Sequence, residues 1–416
     1  MTLTQHPSGF LTSEDHEHKI SSLSPTLPLE PLVPGSCIGI LGSGQLGMMM
    51  AQAAQRLGYR VCVFDKIADG PASSVADEMI TGSFDDHDAL QRFAQRVDVI
   101  TLEFENIPVA ALQELALLKP VYPKPEVVHI CQDRILEKEF LRAHGFPIAP
   151  FKVITSKEEL EKALHFFNAP CILKTATLGY DGKGQSPLEP GDDCAAAWDA
   201  LKTPRAVLEK KISFVNEASI ITARSLQGEV LSFPMQENHH RHGILDITIT
   251  SPCFPGEAPG EAPGEALGTA IAEALGVVGL ITVELFLLAD GTFLVNELAP
   301  RPHNSGHHSL ESSKTSQFEQ VIRAVVGLPL GSTELVSEAV MVNLLGDLWQ
   351  AGEPHWDLLL AEPHLHLHLY GKKEAMPGRK MGHFTLVGDE REKLLSHAKS
   401  LFEKLTLLAV NPHISY

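Results

Sequence analysis

Apolar and polar positions change period several times along the chain, and each change marks an element. In "CIGILGSGQLGMMMAQAAQRLGYRVCVFD", residues 37–65, an apolar run leads through a glycine turn into a helical stripe and a second apolar run. That order predicts strand, turn, helix and strand. "ADEMITG" and "VDVITLEFEN" predict two further strands, with "HDALQRFAQR" as a helix between them. Strands alternating with helices imply a parallel α/β sheet. "KPVYPKPEVV" is proline-rich and reads as a boundary, and "DRILEKEFLRAHG" as a helix stopped at Gly145. "PCILKTATLGYDGKGQ" is a strand that runs into a glycine loop. From about residue 207 strand patterns dominate, in "AVLEKKI", "EASIITARS", "EVLSFPMQE" and "GILDITIT". The helix "LGTAIAEALG" precedes two apolar runs, "VELFLLADGTFLVNELA"; short strands and a closing helix, "EREKLLSHAKSLFEKL", follow after about 336. These cues predict a loose, Pro/Ser-rich tail at 1–36, an α/β domain at 37–130, a central domain at 131–335 and a small β-rich domain at 336–416. "PGEAPGEAPGEA", residues 255–266, repeats one tetrapeptide three times; it is too short for a solenoid and reads as a solvated loop.

The two apolar runs at 283–299 flank Asp290-Gly291, a strong hairpin signal, and each carries one glutamate. With those two residues as the loop, Glu284 and Glu297 are equidistant from the turn and face each other, with Cβ atoms roughly 5 Å apart. Like charges at that range repel, and a divalent cation is the usual compensation. Hard oxygen ligands in small number, with room for phosphates, suit Mg²⁺ better than Zn²⁺. The competing reading is a solvated acidic pair on an open sheet face; Phe286 and Val295, predicted on the same face, argue against it. A one-residue slip would undo the pairing.

Two glycine loops offer anion sites. "GSGQLG", Gly42 to Gly47, fits G-x-G-x-x-G between strand and helix, and Asp65 ends the next strand. Alone it reads as a dinucleotide fingerprint using Gly42, Gly44, Gly47 and Asp65, yet the same turn serves any phosphate or tight strand–helix junction. In "LKTATLGYDGKGQ", Lys174 ends a strand and three glycines follow. Glycines let backbone amides approach a polyphosphate while Lys174 supplies a point charge. With a carboxylate pair downstream, a nucleotide–Mg²⁺ site is the better reading than a plain surface loop.

Charge narrows the class. The 416 residues carry 33 basic and 52 acidic side chains, net −19, which argues against a general nucleic-acid binder. Hydrophobic residues, at 44%, are enough for a sizeable core. The six cysteines form no CxxC pair and are expected as free thiols in a reducing, cytoplasmic setting. No apolar run is long enough to span a membrane, and the first residues lack a secretory pattern.

Taken together, "GILGSGQLGMM", "LEFENIP", "LKTATLGYDGKGQ", "HRHGIL", "VELF", "NELAPRPHNSGHHSLESSKTSQFEQ" and "YGKKEAMPGRKMGH" resemble the ATP-grasp superfamily. Within it the chain is similar to the N5-carboxyaminoimidazole ribonucleotide synthetase family over roughly residues 37–415. The resemblance implies an α/β and α+β ATP-grasp fold with an N-terminal Rossmann-like parallel domain and a small C-terminal β-rich domain. It implies that ATP phosphorylates bicarbonate to carboxyphosphate, which carboxylates the exocyclic amine of 5-aminoimidazole ribonucleotide (AIR), with ATP and Mg²⁺ required. The implied ATP site is Arg134, Lys174, Gly179, Tyr180, Asp181, Gly182, Lys183, Gly184, Gln185, Glu209, Lys210, Ile212, Glu217, His240, Asn296 and Glu297. Glu284 and Glu297 match its metal ligands, in agreement with the hairpin argument; ideal alternation, however, points Asn296 to the other face. Substrate positions fall on Gln45, Leu46, Glu103, Asp181, Arg301, His303, Asn304, Ser305, Lys372 and Arg379, with Arg301, His303, Asn304 and Lys174 as catalytic candidates. An arginine fork suits a carboxylate-like anion, and a Lys/Arg pair suits a phosphomonoester. Met48 stands where the family often carries a basic residue. The family also implies a homodimer and no nucleic-acid or membrane partner.

Other readings stay open. A formate-dependent glycinamide ribonucleotide transformylase of the same superfamily would share the nucleotide half. An NAD-dependent oxidoreductase would use the first glycine loop, and an inactive regulator would keep the fold alone. His364, His366 and His368 in "PHLHLHLY" share one strand face and read as a half-solvated strand before a zinc site; His307 and His308 read as supporting residues.

Overall fold

The structure, a computed structural model, describes residues 30–179, 184–252, 254 and 263–410. Its strands form three sheets. The first holds β1 (Cys37–Leu41), β2 (Arg60–Asp65), β3 (Glu78–Thr81) and β4 (Val99–Leu102) in the order β3-β2-β1-β4. All its pairings are parallel. β1 is buried along its whole length because helices cover both faces, which is why it reads as a continuous apolar run.

The second sheet is antiparallel, with β5 (Phe151–Ile154), β6 (Cys171–Thr175), β7 (Gln185–Leu188) and β8 (Ala206–Lys210) in the order β5-β8-β6-β7. Helices Lys157–Phe167 and Cys194–Leu201, absent from the sequence reading, bury Leu160, Leu164 and Ala197 with Leu173 and Leu208.

The third sheet has nine strands: β9 (Asn216–Arg224), β10 (Val230–Ser232), β11 (Gln236–Arg241), β12 (Ile244–Thr250), β13 (Gly279–Leu287), β14 (Phe293–Ala299), β15 (Glu338–Leu345), β16 (Leu365–Leu369) and β17 (Lys380–Gly388). The single strand expected in "EVLSFPMQE" is two, β10 and β11, broken where Pro234 removes a ladder donor. The order β14-β13-β9-β11-β12-β15-β17-β16 runs unbroken past residue 336, because β12 pairs with β15. The C-terminal strands thus extend the central sheet.

Helix Gln45–Arg56 packs on helix Gln317–Val326, and one core joins the first sheet to the third through Ile38, Met50, Ile221, Leu280 and Phe318. Leu32 lies against this core and donates its N–H to Val326 O at 2.9 Å, so the end of the expected loose tail is fixed; residues 1–29 lie outside the described residues. The last copy of the repeat is not a loop: Pro263 opens the helix Pro263–Leu275, a position proline favours. Gly268 of that helix sits so close to the sheet that a Cβ would lie 2.6 Å from Thr222 Oγ1. Residues 255–262 lie outside the described set. The described cysteines are free thiols. Among the described residues no helix is long and apolar enough to cross a membrane.

Phe318 is fully buried at the junction of the two sheets. Phe318→Ala is expected to cost ~3–5 kcal/mol of stability, read as a lower denaturant midpoint at unchanged slope.

Candidate active site

The hairpin β13–β14 pairs Glu284 directly with Glu297, as expected, but by a different route. The loop is Ala289–Gly291, one residue longer than assumed, closed by Leu288 N–H to Thr292 O at 2.9 Å. Phe286 therefore faces Leu294, and Val295 faces Leu285 in the core, so Val295 does not share the glutamate face. A β-bulge between Glu284 and Leu285 takes up one extra residue, Asn296, and restores the glutamate pairing. A bulge re-aims side chains. Asn296 consequently lines the same cleft as Glu284, Phe286 and Glu297, which regular alternation would forbid. Its Oδ1 is buried without a hydrogen-bond partner.

This cleft, ≈ 280 Å³, is walled by the second sheet on one side and the third on the other. Arg134, Lys174, Gly184, Gln185, Glu217 and His240 join the hairpin residues there. Arg134 opens the helix Arg134–Ala143, whose cap Asp133 accepts from Ile135 N–H and Leu136 N–H. Its Nη1 donates to Glu297 Oε2 at 2.9 Å. Glu217 Oε2 lies 2.7 Å from His240 Nδ1. Glu209 is buried behind this wall, 3.0 Å from Lys174 Nζ and 3.6 Å from Lys138 Nζ. Burial works against its negative charge, but Lys138 and Lys174 outweigh burial and hold its carboxyl below the ordinary range. Lys138, which the sequence reading missed, is fully buried and also donates to the Asn296 carbonyl at 2.8 Å, pinning the bulge. Its neighbour Glu137 accepts from Leu298 N–H at 2.7 Å; burial pushes its carboxyl up to about 7 against the pull of Lys138 and Arg134. Lys210 is exposed and Ile212 half-buried on the segment leading from β8 to β9. Gly179 lines a small adjoining recess with Glu105, Cys131 and Glu297. Tyr180, Asp181, Gly182 and Lys183 lie outside the described residues.

The loop after β14 abuts the same cleft. His303 Nε2 sits 3.0 Å from Glu284 Oε1, and its Nδ1 2.9 Å from Ser305 Oγ. Burial opposes ionisation of Glu284, yet the His303 contact, with His240 nearby, holds its carboxyl low. Ser305 is fully buried and takes a further bond from Ser219 Oγ at 2.8 Å, so its hydroxyl is part of the framework. Asn304 exchanges two side-chain bonds with Asn343 on β15. Gln317 holds the His303 main chain at both ends, accepting from its N–H and donating to its carbonyl. Arg301 is paired with Glu105, which follows β4 in the first sheet. Glu105, Asn343 and Gln317 were not singled out from the sequence; Glu105 and Gln317 lie inside the matching stretches "LEFENIP" and "TSQFEQ".

The first glycine loop is filled from within. Gly44 N–H donates to Glu103 Oε1, and Gly47 N–H to Glu103 Oε2 at 2.7 Å. Ser43 donates its N–H and hydroxyl to Asp65 Oδ2, at 2.8 and 2.7 Å. The amides that would cradle a dinucleotide pyrophosphate already hold a carboxylate, and the acid that would take its ribose is engaged, so the oxidoreductase reading is set aside. Burial, ahead of the opposing amide bonds, raises the Glu103 carboxyl above its ordinary range. Gln45 is half-buried at the start of the following helix and Leu46 is buried. Met48 is half-buried against the core, an apolar role that suits methionine. Lys372 lies 5.5 Å over the Tyr370 ring with Arg379 and Glu103 in electrostatic reach; burial first, then Arg379, pushes its amine down to about 8.

His364 and His366 are exposed, whereas His368 bonds Glu311 at 2.7 Å and stacks on His383 at 4.5 Å. His307 and His308 are buried; burial lowers both, His308 to about 3. They support the loop from behind.

Removing the charge shared by two buried lysines is costly. Glu209→Gln is expected to destabilise the protein by ~3–5 kcal/mol, whereas Lys210→Gln, on an exposed side chain, leaves the unfolding midpoint unmoved.

Three domain families match the chain: a ribonucleotide synthetase preATP-grasp domain over 36–132, an ATP-grasp domain over 139–318, and a phosphoribosylaminoimidazole carboxylase C-terminal domain over 339–397. The N5-carboxyaminoimidazole ribonucleotide synthase of Brucella melitensis biotype 1 is 45% identical over 86% of this chain and 97% of its own length. A bifunctional purine synthesis protein of Dictyostelium discoideum is 44% identical over 85% of this chain, which spans 37% of that longer protein. Among solved structures, an N5-carboxyaminoimidazole synthetase from Staphylococcus aureus complexed with ADP superposes with a TM-score of 0.82 at 38% identity, covering 90% of this chain and 98% of that one. The chain therefore belongs to the N5-carboxyaminoimidazole ribonucleotide synthase family of ATP-grasp ligases.

Proposed function

We propose that the protein joins bicarbonate to the exocyclic amine of 5-aminoimidazole ribonucleotide at the cost of ATP, giving N5-carboxyaminoimidazole ribonucleotide, ADP and phosphate for purine biosynthesis. One observation carries this reading. Glu297 lines the cleft and Arg301 follows four residues later, just past the end of the same strand, which supports a phosphoryl donor and a small anion held side by side. The homodimer implied by the family enters on that resemblance alone.

In this reading the cleft between the second and third sheets holds ATP, with Lys174 and Arg134 facing its phosphates and Glu217 and His240 its sugar side. Glu284, Glu297 and Asn296 Oδ1 form an all-oxygen donor set, and the unpartnered amide oxygen fits a hard divalent cation. These oxygens would hold a magnesium ion, which would supply charge neutralisation for the phosphates. Arg301 presents its guanidinium to bicarbonate, whose oxygen attacks the terminal phosphorus as the bond to the bridging oxygen breaks and ADP leaves; the AIR amine then attacks the carboxyl carbon of the carboxyphosphate, releasing phosphate and a proton. His303, fixed between Glu284 and Ser305, borders the same point. Glu103 and the first glycine loop wall the AIR side, while Lys372 and Arg379 take its phosphate. Such a site works by positioning and by aiming charge where charge develops.

The test is ADP release from ATP–Mg²⁺ and bicarbonate with and without AIR. Strong AIR dependence is expected; release driven instead by glycinamide ribonucleotide with formate would transfer the protein to that sister activity. Glu297→Gln is expected to lower turnover ~10²-fold or more with the fold intact. The Lys372 amine is charged below about 8 and neutral above it, so the KM for AIR is expected to climb as pH rises through that value. Lys372→Arg keeps its charge and should flatten the climb.

A further inference from the structure

Arg301 has five N–H donors, and the structure shows where three of them go. Nε donates to Glu105 Oε2, Nη2 to Glu105 Oε1 at 3.2 Å, and Nη1 to the Pro302 carbonyl at 3.0 Å. One N–H remains on each terminal nitrogen, and a pair of terminal N–H groups can meet a planar, two-oxygen anion end-on. Glu105 comes from the first sheet and Arg301 from the third, 196 positions away in sequence. The acid is itself held: Gln132 Nε2 donates to the carbonyls of Glu105 and Ile107, and Ile107 N–H donates to the Glu105 carbonyl at 2.8 Å. Both side chains are mostly shielded, with 18% exposure for Arg301 and 22% for Glu105. A shielded carboxylate on a guanidinium cancels most of its charge for whatever binds beside it.

We infer that Glu105 is the positioning and selectivity residue of the anion site: it leaves only the end-on fork of Arg301 free and discounts its charge, so that the singly charged bicarbonate is held and the more highly charged phosphate is let go. This rests on the reading of Arg301 as the bicarbonate holder. Without Glu105 the guanidinium would be free to turn and would keep its full charge. It would orient bicarbonate poorly and grip phosphate well.

The measurement is steady-state kinetics of the full chain, varying bicarbonate, ATP and inorganic phosphate in turn. Glu105→Gln keeps the shape and removes the charge. It should raise the KM for bicarbonate about tenfold, lower the inhibition constant of phosphate about tenfold, and leave the KM for ATP within about twofold, the size expected for one charged hydrogen bond. Glu105→Asp keeps the charge but shortens the reach; it should raise the bicarbonate KM while leaving phosphate inhibition near the parent value. That second variant carries the test if the first does not fold. Equal changes in all three constants, or no change in phosphate inhibition with Glu105→Gln, would overturn the inference. Arg301→Lys is run alongside. If it leaves the bicarbonate KM unmoved, the assignment of Arg301 itself fails; if it raises that KM while the Glu105 variants do nothing, only the role of Glu105 fails.

Discussion

Two carboxylates facing each other across a hairpin, half-shielded from water, are unstable unless positive charge comes to them, and much of this site follows from that constraint. Glu284 draws His303 and Glu297 draws Arg134. The helix carrying Arg134 also carries Lys138, which holds the bulge carbonyl, and Lys138 in turn needs Glu209. Glu209 then shares its charge with Lys174. The result is an alternating chain of acids and bases running from the hairpin to the second sheet. Lys138, Glu209 and Lys174 are buried at an energetic cost that their neighbours offset, and removal of one strands the next.

Such an arrangement is poor at adding stability and good at fixing directions. Buried, mutually satisfied charges cannot reorient when a substrate arrives, so the field at the cleft is set before binding. The fixed carboxylates each keep one oxygen clear of their protein partner: Glu284 uses Oε1 on His303, and Glu297 uses Oε2 on Arg134. Those remaining oxygens, with the unpartnered Asn296 Oδ1, are the donors that the proposed cation would take. The bulge is what adds the amide. Without the extra residue the hairpin would keep its core alternation and its facing glutamates, so Asn296 is an addition to the site that the core does not require.

Much of the framework was legible in the sequence because it rests on local chemistry. The parallel first sheet, the helix stopped at Gly145 and the facing glutamates follow from period, turn residues and symmetry about a loop. The last of these came out correctly through two departures that cancel: a loop one residue longer and a bulge one residue wide. Neither is visible in an apolar pattern, and the misplaced Val295 shows the cost of missing them. Helices Lys157–Phe167 and Cys194–Leu201 were missed although Ser156 and Asp193 cap them, because their short apolar stripes did not separate from the surrounding loops. Glu105, Lys138, Gln317 and Asn343 were not legible for a different reason. Their partners lie far off in sequence, and no local pattern distinguishes a residue that orients a catalytic group from one that solvates a loop.

The first glycine loop shows why a motif alone does not name a ligand. Its glycines and helix start make the amide cradle that nucleotide-binding folds present to phosphate. Here the chain answers that cradle with its own Glu103, and a side chain on Gly44 would collide with that carboxylate, at 2.6 Å from its nearest oxygen. The glycines therefore admit an internal anion at close range. Burial makes Glu103 costly to ionise and the amides offset only part of that cost, while their two bonds fix the carboxyl in place with Lys372 in electrostatic reach. A loop of the kind that elsewhere recognises a cofactor is, in this chain, the mount for a buried acid. The same backbone physics serves both uses, and only the occupant tells them apart.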